Sequence, residues 1–154
     1  MKDYEAIAKD LFKEGYNCSQ AVLLAFAEEC GLDEKTAAAV ASSFGGGMGR
    51  LREVCGTVSG MFLAAGILYG YTEPKDYEGK KEHYARIQEL AHTFKEKNGS
   101  IICRELLGLK DASLSPVPEK RTDEYYKKRP CMELAGCAAG ILSEYMKTHP
   151  LSSK

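Results

Sequence analysis

The sequence predicts an all-α fold, a single-domain bundle of about six or seven helices. Three observations lead to this prediction: apolar residues recur with a helical period, capping residues and glycines bound most of these segments, and the alternating runs typical of β-strands are missing. The length of 154 residues corresponds to one domain. We expect residues 1–147 to form this domain and residues 148–154 to form a flexible C-terminal tail.

The first three predicted helices have clear boundaries. The first carries an apolar stripe made of Tyr4, Ile7, Ala8, Leu11 and Phe12, and a glycine closes it at residue 15. Asn17 is a favourable N-cap for the second helix, and Gln20 stands three residues later, as in a capping box. Gly31 ends that helix, and Asp33 caps the third.

The remaining chain gives four further segments. The triple glycine at 45–47 interrupts the chain, and a buried helix is predicted from about residue 50 to 69. Pro74 suits the first turn of the next helix, which extends to about residue 97. Ser100 is predicted to cap a short helix. A loop containing Pro116 and Pro118 follows, and the last helix is predicted to begin near Pro130.

Composition and charge limit the classes of function. The formal net charge is −1, with 44% hydrophobic and 28% charged residues, so no excess of basic charge indicates nucleic-acid binding. The N-terminus has an amphipathic helical pattern rather than that of a signal peptide. The most apolar run, residues 54–71, contains too many glycines and hydroxyl residues for a membrane span. We therefore predict a cytoplasmic protein.

The chain contains six cysteines, and four of them follow predicted helix starts. In a reducing compartment such a set favours redox, metal-binding or catalytic roles over structural disulfides. The positive end of a helix dipole stabilises a thiolate, the reactive and metal-binding form of cysteine. The positive charges of Arg50 and Arg52, which precede Cys55 in the sequence, would stabilise a thiolate there further. The four candidates are Cys18 after Asn17, Cys55 after the triple glycine, Cys103 after Ser100 and Cys131 after Pro130.

The other two cysteines are predicted to be packing residues. Cys30 precedes Gly31, where the helix dipole disfavours a thiolate. Cys137 lies six residues after Cys131, about 240° around the same helix.

These cysteines carry a resemblance to a known family. The segments that carry the resemblance are "GYNCSQAV" at the first cysteine, "CGTVSG" at residues 55–60, "ICRELLG" at Cys103 and "RPCMELAG" at Cys131. In these segments the chain resembles the redox-active family named for its C-GCAxxG-C-C pattern. The resemblance covers about residues 4–146. The central segment matches C-G-A-x-x-G except that Thr57 replaces alanine.

The resemblance implies a helical, redox-active domain without an assigned substrate. The family is also distantly similar to split-Soret-type cytochromes, which carry haem together with an iron–sulfur cluster. This chain has no C-x-x-C-H motif, so we predict no covalent haem.

Three hypotheses for function remain open, and the first two expect the four sulfur atoms to converge. The first is a thiol oxidoreductase acting on a redox partner or a small thiol, with Cys55 as the attacking thiol and Gly56 and Gly60 leaving it uncovered. The second is a [2Fe–2S] cluster or zinc held by Cys18, Cys55, Cys103 and Cys131. The third is a helical interaction module, in which Gly56, Gly60 and Ala64 form a close helix seam within the fold or across a homodimer.

Overall fold

The computed structural model describes residues 2–109 and 114–151, and it confirms the predicted all-α fold. Within these residues there is no strand, and six of the helices have seven or more residues. A 3-10 turn at Ser42–Phe44 precedes α4. The helices are α1 (Tyr4–Lys13), α2 (Cys18–Ala25), α3 (Glu34–Ala41), α4 (Gly45–Met48), α5 (Gly56–Tyr69), α6 (Tyr77–Asn98), α7 (Cys103–Leu106), α8 (Asp123–Lys128) and α9 (Cys131–Thr148).

Helix α5 forms the centre of the bundle and packs against α2, α6 and α9. Helix α1 packs along α9 and also contacts α2. The largest fully buried side chains include Phe12 of α1, Phe26 after α2 and Phe94 of α6. These aromatic side chains supply much of the apolar area that the fold removes from water.

Small residues on α5 allow α2 to approach closely. A Cβ atom on Gly60 would lie 2.6 Å from the carbonyl oxygen of Ser19 and 3.0 Å from Cβ of Val22. A Cβ atom on Gly56 would overlap Sγ of Cys18 and lie 2.8 Å from the carbonyl oxygen of Phe44. The predicted small-residue seam is therefore a contact within the fold.

Capping residues determine several helix starts as the sequence predicts. The side chain of Asn17 accepts a hydrogen bond from the amide of Gln20 at 2.9 Å, and the Gln20 side chain accepts one from the Asn17 amide at 3.0 Å. Asp33 accepts from the amide of Thr36 and caps α3. Such local hydrogen bonds replace those that the first turn of a helix lacks.

The predicted start of the central helix is wrong. The helix begins at Gly56 rather than near residue 50, because residues 46–50 all have left-handed φ angles between 61° and 72°. Arg52 is also left-handed, with φ of 62°. A continuous right-handed helix cannot pass through these residues, and α4 is therefore a short irregular turn rather than a regular helix. Left-handed backbone is unfavourable for residues other than glycine, so Met48, Arg50 and Arg52 are locally strained.

Four other boundaries differ from the prediction. Pro74 lies before α6, which begins at Tyr77 with Asp76 as its N-cap. Ser100 does not cap α7, because the N-cap of that helix is Ile102. The Ser100 hydroxyl accepts a hydrogen bond from the Ile102 amide and donates one to the Glu105 carboxylate. Helix α2 ends at Ala25, and turns lead from there to residue 31. Residues 123–128, which had no predicted element, form α8.

The C-terminal end of the bundle extends beyond residue 147. Thr148 is the last residue of α9, and the Tyr69 hydroxyl donates a hydrogen bond of 2.7 Å to the carbonyl oxygen of His149. Residues 152–154 of the predicted tail lie outside the described residues. In the described part of the chain, no helix is long and apolar enough to cross a membrane.

Candidate thiol site

The four cysteines that follow helix starts line one pocket of about 300 Å³. They come from α2, the N-cap of α5, α7 and α9, so residues far apart in sequence meet here. The structure places the four reduced cysteines, Cys18, Cys55, Cys103 and Cys131, around this one pocket.

Cys18 is the first residue of α2, where the Asn17 capping box determines its position. Its Sγ atom packs against Gly56, and only a residue without a Cβ leaves room for it there. The backbone amides of Gly46 and Ser19 lower the pKa of this thiol, against the larger opposing effect of burial. Cys18 therefore contacts both the left-handed segment and the start of α5.

A short backbone pairing brings Cys55 and Cys103 to the same side of the pocket. Val54 and Ile102 form an isolated antiparallel bridge. On either side of it, the Cys55 amide donates to the carbonyl oxygen of Ile101 at 2.7 Å, and the Cys103 amide donates to that of Glu53 at 2.6 Å. This pairing joins the start of α5 to the start of α7.

Each of these two sulfur atoms has a polar neighbour. The Sγ atom of Cys55 lies 3.1 Å from Oγ1 of Thr57. The Arg52 guanidinium donates through Nη1 to Sγ of Cys103, at 3.7 Å. Cys103 also packs against the left-handed segment, because a Cβ atom on Gly47 would lie 2.6 Å from its Cβ.

Cys131 begins α9, directly after its N-cap Pro130. The Tyr125 hydroxyl of α8 and the charge of Arg129 both lower the pKa of this thiol, against the larger opposing effect of burial. Another part of the lining comes from α8 and the segment before it, which includes Pro116, Pro118 and Glu119.

Four arginines also line the pocket, and within residues 2–109 and 114–151 only one of them has a carboxylate partner. Arg129 pairs with Glu119. Arg50 donates to the carbonyl oxygens of Ser115 and Val117, and Arg121 donates to those of Phe12 and Tyr16. Carbonyl oxygens do not neutralise a guanidinium, so the wall has an excess of positive charge. The four are Arg50, Arg52, Arg121 and Arg129.

The comparison with family models bears directly on this cysteine set. Residues 16–145 match the model of the family described as "Putative redox-active protein (C_GCAxxG_C_C)", and this range includes all four pocket cysteines. The chain belongs to this family. No curated protein and no solved structure matches the chain. Family membership establishes the redox-active class and leaves the chemistry of the pocket to be derived from its residues.

Burial opposes the thiolates that the helix starts were expected to favour. Burial is the main reason why the pKa of the Cys18 thiol is raised. It is also the main reason why the pKa of Cys55 is raised to about 12 and that of Cys131 to about 11. Backbone amides lower the pKa values of Cys18 and Cys55, but by less than burial raises them. Desolvation disfavours a charged sulfur more than the free amides of a helix start favour it. The expectation that Cys55 is readily anionic is therefore wrong for the reduced pocket.

The sulfur atoms also act on one another. Negative charge on Cys103 raises the pKa of Cys18, and charge on Cys18 raises those of Cys55 and Cys131. Cys18 thus interacts electrostatically with each of the other three thiols, which gives it the central position in the set.

The other two cysteines lie elsewhere, as packing residues would. The Sγ atom of Cys30 is 3.9 Å from the carbonyl oxygen of Ala64, and burial raises its pKa to about 11. Cys137 accepts a hydrogen bond from Nδ2 of Asn98 at 3.4 Å. Neither residue lines the pocket.

The sequence predicted the four cysteines, Arg50 and Arg52, which all line the pocket, and it missed the lining that comes from α8 and the segment before it. Glu119, Arg121 and Tyr125 have no motif around them, and their approach to the cysteines is a product of the tertiary fold. Arg129, which also lies in this part of the lining, stands two residues before Cys131 in the sequence.

Proposed function

We propose that the pocket carries out thiol–disulfide exchange, with Cys103 as the attacking thiol and Cys18 as the resolving thiol. The observation that supports this most directly is the meeting of four reduced thiols in one pocket, with an arginine hydrogen-bonded to one of them. Exchange needs an attacking sulfur that can be anionic, a second sulfur within reach, and access for the substrate.

Cys103 is the better attacker because of its neighbour. A guanidinium that donates to a sulfur stabilises the thiolate over the thiol, and the thiolate is the nucleophile. Arg52 makes such a contact with Cys103, whereas the polar neighbour of Cys55 is the uncharged Thr57. We therefore assign the attack to Cys103 instead of Cys55.

Cys18 is the better resolving thiol because it interacts with all three other sulfur atoms. Cys55 and Cys131 also belong to the proposed site, since either thiol can attack a disulfide at Cys18 and form a new disulfide with it.

The reaction is balanced with a small disulfide as oxidant. The Cys103 thiolate attacks one sulfur of the substrate disulfide, that S–S bond breaks, and the leaving thiolate departs with the electron pair. Cys18 then loses its proton and attacks the mixed disulfide at Cys103, releasing the second substrate thiolate. One substrate disulfide is thereby reduced to two thiols, and the two protein thiols are oxidised to one disulfide.

The four cysteines do not fit a metal centre in the present geometry. Among the residues described, no three or more histidine, cysteine, aspartate or glutamate side chains are grouped so as to hold an ion. We therefore derive no step through zinc or a cluster, and metal binding becomes an alternative outcome of the experiment.

The test uses a neutral oxidant, bis(2-hydroxyethyl) disulfide, with the reduced full chain. We expect peptide mapping under non-reducing conditions to find a Cys18–Cys103 disulfide. Cys103→Ser and Cys18→Ser should each abolish it, while Cys55→Ser and Cys131→Ser should keep it. The matched controls Cys30→Ser and Cys137→Ser should react like the wild type.

Two results would contradict this function. The first is oxidation without any disulfide among the pocket cysteines, or alkylation of all six thiols at the rate of an ordinary buried thiol, as an interaction module would show. The second is iron or zinc in anaerobically purified protein that is lost in the pocket variants, with absorption between about 300 and 600 nm for a cluster.

A further inference from the structure

Arg52 is a buried cation without a carboxylate partner among the residues that the structure describes. Its side chain lines the thiol pocket, and the residue is 7% exposed. Its Nε atom is fully buried and has no hydrogen-bond partner. Burying an uncompensated charge is strongly unfavourable, so such a group is normally paired or faces a ligand.

Other arginines of the chain show what Arg52 lacks. Arg86 pairs with Glu82, Arg104 with Glu53, and Arg129 with Glu119. Among the described residues, the side chain of Arg52 makes one polar contact, from Nη1 to Sγ of Cys103. The edge of the guanidinium formed by Nε and Nη2 remains for another partner, and this edge matches the two oxygens of a carboxylate.

The backbone holds Arg52 in this position despite its left-handed φ of 62°. Its amide donates to the carbonyl oxygen of Gly46 at 3.3 Å, and its own carbonyl oxygen accepts from the amide and from Nε of Arg104. Strain of this kind persists where the surrounding structure enforces it, and it is concentrated at functional sites.

The rest of the pocket favours an anion as well. Arg50 and Arg121 donate to carbonyl oxygens, and Glu119, the one carboxylate among the described lining residues, is already paired with Arg129. The volume of about 300 Å³ is at the lower end of the range for small-molecule sites.

We infer that the substrate of this pocket is a small disulfide bearing a carboxylate, which binds the Nε–Nη2 edge of Arg52 and places the S–S bond beside Cys103. This inference rests on the proposed thiol–disulfide exchange and adds the substrate class. The same guanidinium then has two tasks, because it binds the carboxylate and stabilises the attacking sulfur.

The test compares two oxidants of equal shape and different charge, dithiodipropionate and its diamide. We expect reduced wild-type protein to react at least about tenfold faster with the acid, a difference of about 1.4 kcal/mol. Arg52→Gln should bring the ratio of the two rates close to one. The ratio is the readout because the loss of the Cys103 contact slows both reactions alike. Lys95→Gln, which removes an exposed charge on α6, is the matched control and should keep the wild-type ratio.

A wild-type protein that does not distinguish the acid from the diamide would overturn the inference while leaving the exchange function intact. The wild-type comparison needs no variant, so it decides the question even if Arg52→Gln does not fold. Arg52→Lys keeps the positive charge and loses the two parallel N–H donors of the guanidinium, so it should give an intermediate ratio of the two oxidation rates.

A binding measurement separates this inference from the exchange reaction. Suberate has the same chain length as dithiodipropionate, with two methylenes in place of the S–S bond, and cannot react. By calorimetry it should bind reduced wild-type protein and bind Arg52→Gln at least about tenfold more weakly, again about 1.4 kcal/mol. If neither disulfide oxidises the protein, the exchange function fails, and absence of suberate binding would then overturn the carboxylate site too.

Discussion

The Sγ atom of Cys55 and the Oγ1 atom of Thr57 lie 3.1 Å apart in the first turn of α5, and both residues are buried. This contact exists because Thr57 stands where the family pattern has alanine. The hydroxyl lowers the pKa of Cys55 and so opposes part of the effect of burial, which raises that pKa to about 12. A hydrogen bond to a charged group is worth about 1.5–3 kcal/mol.

We expect Thr57→Val to slow the alkylation of Cys55 about tenfold, since a pKa higher by one unit means tenfold less thiolate. The substitution keeps the shape of the side chain and removes the hydroxyl. The measurement is alkylation at pH 9, resolved for each cysteine by mass spectrometry. Thr57→Ser is the control and should remain close to the wild type. Equal rates in the valine and serine variants would show that the hydroxyl does not act on Cys55.

The start of α5 provides a test of close packing. Gly56→Ala should destabilise the fold by about 1–3 kcal/mol, because the new methyl group would overlap Sγ of Cys18. Gly66→Ala, in the same helix, meets nothing within 4 Å and should stabilise by up to about 1 kcal/mol through helix propensity. Urea unfolding measures both. Similar effects of the two substitutions would show that α2 does not approach α5 as closely as described.

Substitutions at the helix caps Asn17 and Asp33 distinguish an effect on stability from an effect on the reactivity of Cys18. Asn17→Ala and Asp33→Ala should each lower the free energy of unfolding by about 0.5–2 kcal/mol through loss of a cap. Only Asn17 precedes a pocket cysteine, so only its substitution should change the rate at which Cys18 is alkylated. Urea unfolding and site-resolved alkylation give the two readouts. An equal change in Cys18 reactivity in Asp33→Ala would attribute the effect to global destabilisation.

Stability should decrease in alkaline solution. The folded-state pKa values of Cys55 and Cys131 are raised to about 12 and about 11 from an ordinary value of 9.0. The unfolded chain therefore loses these protons near pH 9 while the folded chain keeps them, and rising pH favours unfolding. Each thiol contributes a slope of at most about 1.4 kcal/mol per pH unit from pH 9 up to its folded pKa.

The measurement for this pH effect is chemical unfolding of the reduced protein between pH 8 and pH 11. Cys55→Ser removes one titrating group and should reduce the slope above pH 9. A free energy of unfolding that stays constant or rises over this range would contradict the predicted burial of the thiols.

The sequence predicts the parts of this structure that local interactions determine. The Asn17 capping box and the Asp33 cap depend on residues three positions apart, and both are present. The start of α5 was not predictable by these rules, because the left-handed backbone of residues 46–50 includes Met48 and Arg50, which rarely adopt it. The sequence also cannot show the protonation state of the thiols, since burial of Cys55 depends on all the elements packed around it.

The approach of Arg121 and Tyr125 to the cysteines was equally hidden. Arg121 donates to carbonyl oxygens of α1 and of the turn after it, more than one hundred residues away in sequence. No periodicity or spacing encodes such a contact, because it depends on how the residues just before α8 pack against α1 in the tertiary fold.

The order of the pocket elements along the chain has a consequence for protein synthesis. Val54 pairs with Ile102, which lies almost fifty residues later, and Cys131 comes later still. A nascent chain exposes Cys18 and Cys55 to the cell long before α7 and α9 leave the ribosome. During that interval Cys18 and Cys55 lack most of the pocket around them, and Arg52 has no Cys103 beside it. The four thiols of the pocket therefore come together only after Cys131 has been translated, and products truncated before Cys103 would carry Cys18 and Cys55 without the contact between Arg52 and Cys103.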